Sequence, residues 1–289
     1  MPLLYALFFL ALAQALPAEY NLLHGPDPKD PMAAHIYQLD NGLTVYLTQN
    51  TQEPRFYAEI AVRAGSKHDP QDATGIAHYL EHMLFKGSQK IGTLDYEKEQ
   101  VHLDRIEALY EQHFAETDPE KRAAIYAQIN AENQLAAAYA IPNELDRLYT
   151  AMGERGLNAH TWVEETVYKV ELPANRLAQW AKVEAERFHE PVFRLFQTEL
   201  ETVYEEKNRS LDNKSRVIHK AVQEQFYKIH PYRITTLGTV EHLKNPSLER
   251  MYEFYHTYYV PNNMAIFISG DIDIDETIQL IDRELSHWE

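Results

Sequence analysis

The sequence predicts an α+β fold in which helices cover an antiparallel (mixed) sheet. Two short segments that alternate between polar and apolar residues flank Asp40-Asn41-Gly42, which is a strong β-hairpin turn. The second half of the chain instead carries a series of segments with apolar residues at helical spacing. Strands and helices in this mixed order, with hairpin links and no Gly-x-Gly-x-x-Gly turn, favour an antiparallel sheet with helical layers.

Alternation of polar and apolar side chains predicts the strands. The predicted strands are, in chain order, 35–39, 43–47, 56–63, 157–172 and 264–269. The fourth of these is rich in Thr, Val, Trp and Tyr, and Pro173 ends it. After the fifth strand, Gly270-Asp271 is expected to turn the chain into a final helix.

Helical periodicity predicts a short helix of about three turns between Gly75 and Gly87, followed by longer helices. The longer predicted helices are 96–114, 119–139, 176–189, 195–211, 216–229, 247–259 and 275–288. Asp118 is expected to cap the second of these, with Pro119 at its first position. The first two form a helical hairpin without candidate chemistry, which we interpret as an insertion or a packing arm.

Length and composition are those of an ordinary folded protein. The 289 residues are 45% hydrophobic and 11% aromatic, which suits one large domain or two small ones. Lys and Arg number 27 against 44 Asp and Glu, which gives a net charge of -17. Such a charge repels nucleic acid and anionic membranes and favours basic or neutral partners. We therefore expect an acidic surface and no nucleic-acid binding.

The N-terminus has the pattern of a secretory signal peptide. Residues 3–13 form an unbroken apolar run, and Ala13-Gln14-Ala15 supplies the small residues of a cleavage site. The run is too short for a permanent membrane span, so no stable membrane insertion is expected. We predict a signal peptide over residues 1–15 and an exported protein, periplasmic or extracellular. Because the chain has no cysteine, His and carboxylate side chains would have to hold any metal.

The pentapeptide His78-Tyr79-Leu80-Glu81-His82 is the most informative motif in the chain. Residues i and i+4 share one face of a helix, so His78 and His82 can bind one zinc ion. Glu81 lies between them and can act as the base for a water on that ion. This order is the reverse of the commoner His-Glu-x-x-His and is the inverzincin signature. The alternative is a pair of surface histidines with an intrahelical Glu.

A hydrolytic zinc site needs a third protein ligand, which a downstream helix can supply. In helix 195–211, Glu199 and Glu206 are seven residues apart and share one face, whereas Glu205 is turned away by about 100°. We predict that Glu206 is the third ligand. The alternative is that these glutamates form a solvated acidic face.

Several segments resemble the M16 family of metallopeptidases, which includes pitrilysin, insulin-degrading enzyme and the mitochondrial processing peptidase. The block from Gly75 to Gly87 is similar to the active-site block of the family almost residue for residue. Asn41-Gly42-Leu43-Thr44-Val45 resembles its first hairpin, and Pro261-Asn262-Asn263-Met264 resembles the strand that closes its first domain. Asn158-Ala159-His160-Thr161 resembles its substrate-binding edge strand.

This resemblance implies a fold of the LuxS/MPP-like metallohydrolase type with one Zn²⁺ per domain. His78, His82 and Glu206 would be the zinc ligands, and Glu81 the catalytic base. Glu199 falls on the first of the paired glutamates of the family and is implied as a further catalytic residue that supports the site. The implied substrate-binding residues are Asn158, Ala159, His160 and Thr161.

The resemblance also implies a domain organisation. Residues 16–289 correspond to an N-terminal zinc-binding peptidase domain, in which the helical hairpin at 95–150 is interpreted as an insertion. The family needs a second, homologous domain, which we expect to be absent from this chain. The expected partners are therefore peptide substrates and a homologous second domain or subunit.

The predicted activity is that of a zinc-dependent metalloendopeptidase that hydrolyses extended or unfolded peptides with a water activated by Zn²⁺ and Glu81. We expect the isolated domain to hydrolyse weakly or not at all. One alternative is a non-catalytic subunit or scaffold of the same family that binds peptide or a partner half, against which the presence of Glu81 argues. Another is an exported binding protein with a structural His pair, which would show no metal-dependent turnover.

Overall fold

The hairpin predicted around Asp40-Asn41-Gly42 forms part of a seven-stranded sheet in the computed structural model, which describes residues 20–288. Gly42 has a φ angle of 91°, which glycine adopts more readily than other residues. The predicted signal peptide at 1–15 lies outside the described residues. The strands are β1 (Tyr20–His24), β2 (His35–Leu39), β3 (Thr44–Gln49), β4 (Arg55–Val62), β5 (Arg155–Thr161), β6 (Thr166–Pro173) and β7 (Met264–Gly270).

The strand order in the sheet is β1-β2-β3-β7-β4-β6-β5. Only β3 and β7 run parallel within this sheet, and the other neighbouring pairs are antiparallel. In β4, every second residue from Phe56 to Val62 is buried, as expected of a strand with one face on the core. The predicted α+β fold with a mixed sheet is confirmed, and the strand order leaves β5 at one edge.

Ten α-helices lie between residues 20 and 288, and none of them is long and apolar enough to cross a membrane. Asp118 caps the third helix as predicted, because its carboxylate accepts hydrogen bonds from the backbone N–H groups of Glu120 and Lys121. The helices are α1 (Ile76–Met83), α2 (Tyr96–Ala115), α3 (Pro119–Ala137), α4 (Glu144–Met152), α5 (Leu177–His189), α6 (Phe196–Asp212), α7 (Lys214–Phe226), α8 (Val240–Leu243), α9 (Leu248–Tyr258) and α10 (Ile274–Leu285).

The hairpin of α2 and α3 packs against α6, the helix that carries the two predicted site glutamates. The ring of Tyr110 in α2 meets the ring of Phe196 in α6 edge-on, with centroids 5.0 Å apart. Ile106 of α2 and Ile129 of α3 are buried in the same core. These contacts hold the N-terminal end of α6 against the hairpin. That residues 95–150 are an insertion stays a prediction.

The prediction of one strand over 157–172 is wrong. This segment is a hairpin of β5 and β6, and its turn is closed by a hydrogen bond from the Trp162 N–H to the Glu165 carbonyl, 2.8 Å. The Trp162 carbonyl accepts a second bond from the N–H of Ser66, 3.0 Å, which ties the turn to the loop before α1. A hairpin satisfies the backbone polar groups on one side of both strands, whereas a single strand of this length would leave them unpaired.

Other differences from the predictions have local causes. α1 has eight residues rather than three full turns. The chain after it tightens into hydrogen bonds between residues three apart, from the Phe85 N–H to the His82 carbonyl and from the Lys86 N–H to the Met83 carbonyl. β1 was not predicted because most of its residues are exposed and lack an apolar alternation. α4 was also missed, since it is short and lies inside the segment interpreted as a hairpin insertion.

A buried arginine holds the chain that leaves α1. The guanidinium of Arg194 is ion-paired with the buried carboxylate of Glu99, 3.0 Å. It also donates hydrogen bonds to the backbone carbonyls of Lys86 (2.7 Å), Ser88 (2.6 Å) and Ile91 (2.9 Å). Buried carbonyls need such donors, so Arg194 determines where the chain turns after the motif helix.

Candidate metal centre

The motif helix α1 is held at its N-terminus by a residue that was not predicted from the sequence. The carboxylate of Asp69 accepts hydrogen bonds from the backbone N–H groups of Gly75 (2.7 Å) and Ala77 (3.0 Å). Burial raises the pKa of Asp69 to about 7, although the two hydrogen bonds favour the charged form. A carboxylate here stabilises the free N–H groups of the helix end. Asp69 lies six residues before Gly75, outside the usual capping position.

The two motif histidines and Glu206 come together between α1 and α6. Nε2 of His78 lies 3.5 Å from Oε2 of Glu206, and Nε2 of His82 lies 3.7 Å from the same oxygen. The three candidate ligand atoms all lie within 4.8 Å of one another. The predicted third ligand, more than a hundred positions along the chain from the histidines, is thus adjacent to both rings.

The spacing of these atoms fits a zinc ion. Two ligands that are each about 2.0–2.1 Å from one tetrahedral ion lie about 3.3–3.4 Å apart. The two His–Glu distances of 3.5 and 3.7 Å are close to this value. Two imidazoles and one carboxylate are also a known donor set of catalytic zinc sites, with the fourth position open for water or substrate. His78, His82 and Glu206 could therefore hold the ion once the ligand atoms, which now lie within 4.8 Å of one another, draw to this spacing.

The protonation state of His78 also suits metal binding. The residue is 8% exposed, and burial, aided by the neighbouring His82, lowers its pKa to about 3. The imidazole is therefore neutral at neutral pH and has a lone pair to offer. Nδ1 of His78 is buried and has no hydrogen-bond partner among the described residues.

Glu199 contacts His82 rather than the cluster itself. Its Oε1 lies 2.7 Å from Nδ1 of His82, and its other oxygen is ion-paired with Lys86. Burial alone lowers the pKa of His82, but the hydrogen bond and the charge of Glu199 outweigh it, and the net shift is upward. A proton held on Nδ1 leaves Nε2 free on the side of Glu206, so Glu199 orients the His82 ring.

Glu199 is kept anionic by its two partners. Burial raises its pKa, but the hydrogen bond with His82 and the ion pair with Lys86 lower it more, so the net pKa is below its usual value. Lys86 was not among the predicted site residues, although its position four residues after His82 places it near the same face. The structure therefore adds a cation to the predicted site.

We expect Glu199→Gln to weaken zinc binding by about 10- to 100-fold, because a neutral amide fixes the His82 tautomer less strongly. The affinity is measured by competition with a chelating dye. Glu201→Gln on the same helix is the matched control, since this side chain is exposed and is not part of the cluster. Equal affinities for Glu199→Gln and the wild type would contradict this role.

Glu81 is buried beside the cluster without belonging to it. The residue is 7% exposed, and its Oε2 accepts a hydrogen bond from the hydroxyl of Thr161, 2.6 Å. Burial raises the pKa of Glu81, which makes the carboxylate a better proton acceptor. Thr161 was predicted to bind substrate, and this stays a prediction; its hydroxyl is bonded to Glu81, and the residue also lines the cleft described next.

The cluster opens into a cleft of about 1050 Å³. One wall is β5, from which all four predicted substrate-binding residues line the cleft: Asn158, Ala159, His160 and Thr161. Among the described residues β5 pairs only with β6, so its other edge is free. The strand that carries the predicted substrate-binding residues thus borders the candidate metal site.

Comparison with known proteins shows the class of this protein. The family model "Insulinase (Peptidase family M16)" matches residues 44–121 and 135–240, and "Peptidase M16 inactive domain" matches residues 246–289. The first match spans α1, β5 and α6, which carry the site described above. The chain belongs to the M16 peptidase family.

Individual relatives are longer than this chain. "Probable zinc protease PqqL" of Haemophilus influenzae is 29% identical over 265 residues, which cover 90% of this chain and 24% of that protein. The crystal structure of the first half of the periplasmic protease PqqL from Escherichia coli has a TM-score of 0.65 and 21% identity, covering 91% of this chain and 48% of that one. Pitrilysin has a TM-score of 0.68 and 20% identity, covering 92% and 24%. The chain spans about a quarter of the length of the PqqL relative.

Proposed function

We propose that this chain carries the zinc centre of a metalloendopeptidase that hydrolyses extended or unfolded peptides. The observation that supports this most directly is the convergence of His78, His82 and Glu206, whose ligand atoms lie within 4.8 Å of one another. Glu81 lies in the same cleft and is not needed as a ligand, so it is free to act as a base. The PqqL relative is named a probable zinc protease, which agrees with this proposal.

The proposed reaction is hydrolysis of a peptide bond by water. When bound, zinc supplies a Lewis acid that polarises the scissile carbonyl and makes water more acidic. Glu81 accepts a proton as the water oxygen attacks the carbonyl carbon, and it delivers that proton to the amine nitrogen when the C–N bond breaks. The hydroxyl of Thr161 holds the Glu81 carboxylate in place during both transfers. Glu199 keeps His82 oriented.

The free edge of β5 supports the choice of extended peptides as substrates. A peptide could add to this edge as a further strand, held by backbone hydrogen bonds that depend little on its sequence. Asn158, Ala159 and His160 would contact it, while Thr161 would act through Glu81. Folded regions cannot offer a free strand, so unfolded or short peptides are favoured.

The lengths of the relatives support the existence of a second domain or subunit. The PqqL relative is about four times as long as the part that this chain matches. We propose that residues 16–289 are the zinc-binding peptidase domain and that a homologous second domain or subunit completes the substrate chamber. PqqL of Escherichia coli is a periplasmic protease, which supports export of this chain, as the predicted signal peptide at 1–15 does.

The experiment is to purify the full chain, measure bound zinc, and assay cleavage of an unstructured fluorogenic peptide by the chain alone and after mixing with a homologous second domain. We expect one zinc per chain and cleavage that a chelator abolishes and zinc restores, with the faster rate in the mixture. Absence of bound zinc would overturn the proposal. Zinc binding without cleavage in either sample would favour the non-catalytic subunit instead.

A further inference from the structure

Helix α7 contributes to the lining of the same cleft that β5 borders, and the cleft-lining side of α7 carries basic residues. Arg216, His219, Lys220 and Gln223 line the cleft. Their spacing of three and four residues places them on one face of the helix. No residue of α7 is buried, so these side chains have room to reach a ligand.

The positive charge of this face is not neutralised within the described residues. Arg216 makes no ion pair there, and the ammonium of Lys220 is paired only with Glu224, at 3.6 Å, one turn along the same helix. An exposed pair of this kind is weak. None of the four carboxylates that line the cleft, which are Glu81, Asp146, Glu199 and Glu206, is ion-paired with either cation of α7. The two cations of α7 are therefore available to bind a ligand in the cleft.

The charge of Arg216 and Lys220 is opposite in sign to that of the whole protein, although the cleft lining as a whole holds four carboxylates beside four Lys and Arg side chains. The net charge of -17 favours basic or neutral partners at long range. Within a cleft, however, charges closer than the Debye length of about 8 Å at physiological ionic strength decide what is attracted. A peptide that lies along β5 presents alternate side chains to one side, and those side chains can reach α7 across the cleft.

We propose that Arg216 and Lys220 select peptide substrates that carry aspartate or glutamate near the scissile bond. The guanidinium of Arg216 can donate two parallel hydrogen bonds to a carboxylate, and Lys220, one turn away, adds a second positive charge. This inference deepens the proposed function and rests on it. It assigns the charge preference of the site to one face of α7.

The test measures binding without turnover. Three labelled peptides that differ only by Glu, Gln or Lys at the positions flanking the cleavage site are titrated with the zinc-loaded Glu81→Gln chain, and fluorescence anisotropy gives each Kd. We expect the Glu peptide to bind roughly three- to tenfold more tightly than the Gln peptide, and the Lys peptide to bind most weakly. High salt should reduce these differences.

The decisive variant is Arg216→Glu with Lys220→Glu, which should reverse the order so that the Lys peptide binds most tightly. Lys214→Glu with Lys228→Glu is the matched control, because it changes the net charge by the same amount at two exposed lysines that do not line the cleft. Arg216→Gln with Lys220→Gln should remove the preference without reversing it, and circular dichroism checks that α7 is retained.

Equal Kd values for the Glu and Gln peptides in the parent Glu81→Gln chain would overturn the inference. An equal change of preference in the control variant would overturn it too, because net charge would then explain the effect. Failure of the proposed function is distinguishable from both, since it would show as no chelator-sensitive cleavage by the wild type. The anisotropy series would still report whether α7 binds acidic peptides.

Discussion

The Glu81→Gln variant is expected to bind zinc as the wild type does and to lose about 10²- to 10⁴-fold in kcat. The amide has the same shape as the carboxylate but cannot accept a proton from water. Zinc affinity should be retained because Glu81 is not one of the three clustered ligand candidates. The hydrogen bond from the Thr161 hydroxyl can also be kept by the amide oxygen, so the fold around the side chain is preserved.

The measurement is steady-state cleavage of an unstructured peptide by zinc-loaded protein mixed with the proposed second domain, with the zinc content determined on the same samples. Asp146→Asn is the matched control, since this exposed carboxylate lines the same cleft but is not in the cluster. Unchanged kcat in Glu81→Gln would refute the assignment of the base. Equal losses of kcat in both variants would indicate that catalysis depends on the negative charge of the cleft and not on Glu81 as a proton acceptor.

The Glu206→Gln variant should lose zinc, with an affinity weaker by more than about 100-fold. Loss of an outer partner such as Glu199 costs about 10- to 100-fold, and the direct loss of an anionic ligand should cost more. The variant removes one of the three proposed protein ligands and leaves only the two histidines. Isothermal titration with zinc, or competition with a chelating dye, measures the change.

Glu205→Gln provides the control for this variant. Glu205 is the next residue towards the N-terminus, it is exposed, and it is not part of the cluster. The substitution removes the same charge from the same turn of α6, so it should leave zinc affinity nearly unchanged. If both variants lost zinc equally, the effect would be one of helix charge and not of coordination.

Much of this site follows from short-range rules of helix geometry. Residues four apart on α1 share a face, which is why His78 and His82 could be paired from the sequence. The same rule, applied to residues seven apart, placed Glu199 and Glu206 on one face of α6 and Glu205 on another. That α6 faces α1 could not be derived from periodicity, and it entered as a hypothesis from the need for a third ligand.

Of the contacts that the sequence did not predict, one joins residues far apart in the chain and another comes from a nearby irregular loop. The Thr161 hydroxyl meets Glu81 across 80 positions, and this required the turn between β5 and β6 that alternation alone did not show. Asp69 caps α1 from a loop whose path is not encoded in a local pattern. A helix was predicted over 216–229, close to α7, but the position of its basic residues in the cleft depends on tertiary packing.

We propose that His78, His82 and Glu206 bind one zinc ion. Crystals of the zinc-loaded chain, measured at wavelengths on both sides of the zinc absorption edge, test it most directly. We predict one anomalous peak about 2.0–2.2 Å from Nε2 of each histidine and from a carboxylate oxygen of Glu206. A peak coordinated by other side chains, or no peak between α1 and α6 in a zinc-loaded crystal, would contradict the claim.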